Sequence, residues 1–203
     1  EMLSLPSPDE RYAGRAEARR ILIIGGSLGA RGLNQLLPTS LAALEQARTL
    51  EIWHQTGKQQ IDEVSQAYKE KGIEARVMPF IEDMAAAYAW ADLVICRSGA
   101  MTLAEIAIVG LPAVLVPYPH AVDDHQTSNA NSFVRVGAAY LMQERDTTAE
   151  QMSVLLSKLM SKPEHLLAMA NAAYSLRRAD AATVLADSCQ QGGSSPASAG
   201  GLH

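Results

Sequence analysis

The stretch RRILIIGGSLGARGLNQLLP, Arg19–Pro38, passes from a charged pair through four apolar residues into a cluster of small ones, then into a polar–apolar run of helical spacing. Four unbroken Ile and Leu residues suit a strand buried on both faces, and glycines before a helical run mark the turn between the two. Five more short runs repeat this pattern: EIWHQ (51–55), ARVMPF (75–80), DLVIC (92–96), AVLVP (113–117) and AAYLM (138–142), each followed by a helix-like segment. Strands separated by single helices require a parallel sheet covered on both faces. The predicted fold is α/β, a doubly wound parallel six-stranded sheet of Rossmann-like form.

Helical spacing also marks LNQLLPTSLAAL and QTSNANSFVRVGA, the latter stopping at Gly137. After Thr147 the chain reads as helical, with TAEQMSVLLSKLM, a helix opened by Pro163, and then DAATVLADSCQ. The final QGGSSPASAGGLH has almost nothing to bury, so residues 190–203 are expected to be a disordered tail. No internal repeat and no linker interrupts Arg20 to Gln190.

With 203 residues, 48% hydrophobic, the chain suits one sizeable domain, and a net charge of −5 argues against a nucleic-acid partner. Cys96 and Cys189 match no metal-ligand spacing and point to a reduced, cytoplasmic setting. The most apolar stretch, IAIVGLPAVLVPYP, is interrupted by Gly110, Pro112 and Pro117, which leaves it short of a transmembrane span.

Ligands of an open parallel sheet bind beyond the carboxyl ends of its strands. After the first strand come Gly25, Gly26, Ser27 and Gly29, which read either as a phosphate cradle or as the tight turn alone. Their spacing is not that of the dinucleotide fingerprint, and no Lys–hydroxyl pair makes a nucleotide-triphosphate loop. After the fourth strand, Ser98-Gly99-Ala100 opens a helix whose first turn offers free amides to a diphosphate. Glu105, one turn on, reads either as a ribose ligand or as a complement to the helix dipole. After the fifth strand, PYPHAVDDHQTSNA gathers Asp123, Asp124, His125, Gln126 and Asn129, polar groups suited to sugar hydroxyls, and no second cluster completes a metal site. His54 reads as a satisfied wall residue, Met84, Tyr88 and Trp90 as core, and Arg31 and Arg97 lie nearest the two phosphate loops.

Taken together, ILIIGGSLGARGLN, IWHQTGK and the block from Phe80 to Ala130 resemble the carboxyl-terminal, donor-binding half of the MurG family. These are bacterial enzymes that add N-acetylglucosamine to lipid-linked muramoyl-pentapeptide. The likeness runs from about Ile21 to Ala186 and implies one half of a GT-B glycosyltransferase. It implies that Ser27 bonds a phosphate and that the main chain of Ile81 reads the uracil edge. Ala100, Met101, Thr102, Leu103 and Ala104 would hold the diphosphate at the helix start, Glu105 the ribose, and Gln126 the sugar. Gly26, Gly29, Ser98, Gly99, Asp124 and His125 are further candidates. Leu28 stands where the family often has glutamine.

The same resemblance implies that residues 1–20 lead in from a missing amino-terminal acceptor domain and that 21–189 form the donor domain. No catalytic residue, no metal site and no obligatory cofactor is expected in this chain. Lipid I would engage the other half, at the inner face of the plasma membrane, and the chain alone would be inactive. A split transferase subunit and a non-catalytic nucleotide-sugar-binding module are the rival readings.

Overall fold

The computed structural model describes residues 2–13, 15, 19–26, 30–44, 49–119 and 125–191, with backbone alone from 178. The expected ligands Ser27, Gly29 and Asp124 and the tail from 192 onward lie outside these residues.

Six strands alternate with helices in chain order. The lead-in helix α1 (Pro8–Tyr12) precedes β1 (Arg20–Ile24), α2 (Arg31–Ala42), β2 (Glu51–Gln55), α3 (Ile61–Glu70), β3 (Arg76–Met78) and α4 (Met84–Trp90). Next come β4 (Leu93–Cys96), α5 (Ala100–Val109), β5 (Ala113–Leu115), α6 (His125–Arg135), β6 (Ala139–Leu141), α7 (Ala149–Met160) and α8 (Pro163–Gln191). All pairings are parallel, and the sheet order is β3-β2-β1-β4-β5-β6. Each expected strand is present within a residue or two, and the crossover in strand order falls between β1 and β4, where open α/β sheets bind ligands.

Alternation along the strands divides the core in two. Ile21, Ile23, Ile52, Leu93, Ile95 and Val114 face α2, α3 and α7, whereas Leu22, Ile24, Val94, Cys96, Ala113 and Leu115 face α4, α5 and α6. The expected helix after β1 continues through Pro38, which deletes one backbone hydrogen bond. A capping box between Thr148 and Gln151 starts α7, and α8 is a single helix from Pro163.

The lead-in packs on the domain. Pro8 starts α1 under a Ser7–Glu10 capping box, and Arg11 donates to the carbonyls of Val109 (2.8 Å) and Gly110 at the carboxyl end of α5. There a cation complements the helix dipole. Gly110 has a φ of 66°, and a Cβ on it would come within 2.7 Å of Pro8 Cγ and 2.8 Å of Tyr174 Cβ, so α5 can end this close to α8 only with glycine. Asp92, 2% exposed, anchors the strand starts by accepting from the amides of Arg19 (2.9 Å) and Arg20 (3.0 Å) and from Arg15.

His54 is fully buried on β2, as a satisfied wall residue should be. Asn34 Nδ2 donates to Thr56 O (3.0 Å) and Gln60 Oε1 (2.8 Å), so its Oδ1 accepts from His54 Nε2 at 3.0 Å. Nδ1 of the neutral ring is left to accept from the Tyr68 hydroxyl at 2.9 Å. Burial pushes the His54 pKa from 6.5 down to about 3. A lowered histidine pKa gives stability that is complete above the unfolded value and is lost as pH falls below it. We expect urea unfolding at pH 5 to show about 2 kcal/mol less stability from this group than at pH 7. His54→Gln should lack that part of the pH dependence, and identical pH slopes for the two proteins would refute the assignment.

Candidate nucleotide-diphosphate site

The carboxyl edge of the sheet is built from four connections. β1 ends in Gly25, whose amide donates to Gln55 O at 3.2 Å, and in Gly26, whose φ of 79° turns the chain with open space where a Cβ would stand. The geometry therefore accommodates the tight turn and leaves room above it.

β4 ends in Cys96 and leads through Arg97, Ser98 and Gly99 into α5. Gly99 caps the helix in an extended conformation (φ −65°, ψ 144°) without a side-chain bond, and no acidic residue occupies the first turn. The amides of Ala100, Met101 and Thr102 thus have no intrahelical acceptor, and together with the helix dipole they form an anion-binding end. Leu103 also has a part in the turn itself. Its amide donates to Gly99 O at 3.0 Å and its side chain is buried in the core, so both support the turn. Ala100, Met101 and Ala104 are exposed, and Met101 stands 80% exposed. Ser98 is fully buried, and its hydroxyl has no hydrogen-bond partner among the described residues, a cost of about 1–3 kcal/mol.

Glu105 lies half-buried one turn into α5, and its Oε2 accepts from the Tyr88 hydroxyl at 2.8 Å. Sequence reasoning placed Tyr88 in the core, and its ring is there; the hydroxyl's role in holding Glu105 depends on α4 packing against α5, which no local pattern reveals. Burial, reinforced by the nearby Cys96 and Glu105, pushes the Tyr88 phenol far above its usual range, so it remains a donor. Ile81 sits between β3 and α4, half-buried against the same core, and its main chain makes no backbone hydrogen bond among the described residues. Met84 and Trp90 are only half-buried, with Trp90 stacked on Trp53 at 4.4 Å.

α6 opens with His125, exposed, and Gln126, whose Oε1 accepts from Tyr118 N at 2.9 Å. Asn129 Nδ2 reaches Ser98 O at 3.5 Å, linking α6 to the start of α5. Arg97 turns from the phosphate position toward the carbonyls of Val116 (3.1 Å) and Pro117 (3.0 Å) and toward Glu144. No cluster of three or more His, Cys, Asp or Glu that could hold a metal occurs among the described residues.

Residues 20–185 match the glycosyltransferase family 28 C-terminal domain. The chain belongs to that family. Among family relatives, the UDP-N-acetylglucosamine--N-acetylmuramyl-(pentapeptide) pyrophosphoryl-undecaprenol N-acetylglucosamine transferase of Azotobacter vinelandii is 50% identical over 170 residues, 84% of this chain and 48% of that protein. The enzyme of the same name from Stutzerimonas stutzeri is 49% identical over 189 residues, covering 93% and 52%. The chain thus spans about half the length of these curated relatives. The crystal structure of Acinetobacter baumannii MurG superposes with a TM-score of 0.80 at 42% identity, over 87% of this chain and 50% of that one. WaaG, a lipopolysaccharide glycosyltransferase, shares the fold at a TM-score of 0.63 and 18% identity, over 86% and 48%.

Within this family-28 domain the anion site can be tested without disturbing the helix. Proline is tolerated at the first helical position, and Gly99 already holds the extended conformation that must precede it. Ala100→Pro removes one free amide, so it should keep the unfolding free energy from urea titration within about 0.5 kcal/mol of wild type while weakening pyrophosphate binding by about 1 kcal/mol or more. Unchanged pyrophosphate affinity in calorimetry would contradict the assignment.

Proposed function

We propose that this chain is the donor-binding half of an inverting N-acetylglucosaminyltransferase. The whole enzyme would move N-acetylglucosamine from UDP-N-acetylglucosamine to undecaprenyl-diphospho-muramoyl-pentapeptide, the lipid I to lipid II step of peptidoglycan synthesis. The observation that carries this reading is the three free amides at the start of α5, with Glu105 one turn in, in a chain about half identical to transferases of that name.

The division of labour follows from the chemistry. The acceptor hydroxyl attacks the anomeric carbon in line, a base removes its proton, and UDP departs with the bonding electrons. This half stabilises the departing charge. The amides of Ala100, Met101 and Thr102 and the hydroxyl of Ser98 would hold the diphosphate, the helix dipole would add to them, and Ser27, outside the described residues, is a further expected phosphate ligand. Glu105, held by Tyr88, accepts from the ribose hydroxyls, the Ile81 main chain reads the uracil edge, and Gln126 contacts the sugar. Gly26, Gly99 and His125 are further candidates for this site, as are Gly29 and Asp124, which lie outside the described residues. Neither a metal nor another cofactor is required for a leaving group held in this way. The base and the lipid site belong to the other half of the enzyme, which would work peripherally at the inner face of the plasma membrane. Among the described residues no helix is long and apolar enough to cross a membrane.

Calorimetry with UDP tests the assignment. Wild type should bind, and Glu105→Ala should lose about 1.5–3 kcal/mol, the worth of hydrogen bonds to a charged group. An equal affinity would sink the ribose role, and a folded wild type that binds no UDP would sink the donor reading.

A further inference from the structure

Glu144, in the short turn after β6, is distant in sequence from the donor loops, yet its carboxylate reaches their underside. Its Oε2 lies 2.5 Å from Arg97 Nη1, with the two side chains only 21% and 14% exposed. This contact is ionic and not directional, for Oε2 makes no hydrogen bond of ordinary geometry. The same carboxylate lies against the first turn of α2. A Cβ on Gly32 would stand 2.3 Å from Glu144 Cδ and Oε1, so the carboxylate fits there only because residue 32 has no side chain. The amino end of α2 and the Arg97 guanidinium both favour an anion at that point.

From Arg97 the contacts run on toward the sugar end of the site. Its guanidinium donates to Val116 O and Pro117 O, and its Cζ stands 5.6 Å from the Tyr118 ring centre. Tyr118 N then donates to Gln126 Oε1. Asn129, one turn beyond Gln126, returns to Ser98 O beside the free amides of α5. An uninterrupted series of contacts therefore joins Glu144 to the residue that faces the sugar. A buried arginine deprived of its counter-ion is costly where it lies, so loss of the carboxylate displaces the guanidinium and frees the two carbonyls it holds.

We infer that Glu144 is a positioning residue of the donor site: seated in the gap left by Gly32, it fixes Arg97 and, through the Val116–Tyr118 segment, sets Gln126 for the sugar. This rests on the proposed donor reading. The role is distinct from general stability, because it concerns the sugar end of the ligand more than the nucleotide end, where the α5 amides and Glu105 act directly.

The test compares UDP and UDP-N-acetylglucosamine by calorimetry on the full chain, with urea unfolding alongside. The readout is the ratio of the two affinities, which a uniform loss of folded protein leaves unchanged. Glu144→Gln should shift that ratio against the sugar nucleotide by about three- to ten-fold, and Gly32→Ala, which evicts the carboxylate, should do the same. The double variant should add little, as expected of residues acting through one contact. Should Glu144→Gln fold poorly, Gly32→Ala and Arg97→Lys carry the comparison. A wild type that binds neither ligand overturns the donor reading itself. A wild type that binds both, with ratios unmoved in the variants, overturns the role of Glu144 and leaves the donor reading standing.

Discussion

Everything at the candidate site depends on one constraint: a parallel sheet buried on both faces delivers its helix starts to a single edge. Every crossover returns the chain to the same end, so the loops after β1, β3, β4 and β5 converge where strand order changes direction. At that point α5 presents three amides with no acceptor of their own. A hydrophobic requirement, two covered faces, thus produces an electrostatic result, a positive helix end at the edge of the sheet.

The surroundings keep that helix end in place. Arg11 and Gly110 close the far end of α5 against the lead-in and α8, while Asp92 ties the lead-in to the start of β4. Glu105 cannot swing freely because Tyr88 holds it from α4. The Asn34–His54–Tyr68 network does the corresponding work on the other face, locking α2 and α3 to β2 with uncharged groups. Both devices use groups that burial keeps uncharged near neutral pH, His54 by lowering its pKa and Tyr88 by raising it.

The fold was legible in the sequence because its signal is local. An apolar run such as ILII or DLVIC can be satisfied only by burial on two faces, and the helical stretches between such runs leave little choice of topology. The helix start after Ser98–Gly99, with Glu105 one turn in, was legible for the same reason, since these residues are neighbours in the chain. The hold of Tyr88 on Glu105 and the part of Glu144 were not, because they depend on contacts 17 and 47 residues away that only tertiary packing creates. Leu103 shows how a local run and the packing can differ in emphasis. Its place within a ligand-binding run suggested a contact, yet both its amide and its side chain are committed to the fold.

The central claim is that a nucleotide diphosphate rests on the unpaired amides that open α5. Amide-resolved NMR of the nitrogen-15-labelled chain during titration with UDP tests it most directly. The account predicts that the resonances of Ala100, Met101 and Thr102 move most, saturating together with those around Ile81 and Glu105. Saturable shifts confined to other parts of the molecule, with these three amides unmoved, would contradict it.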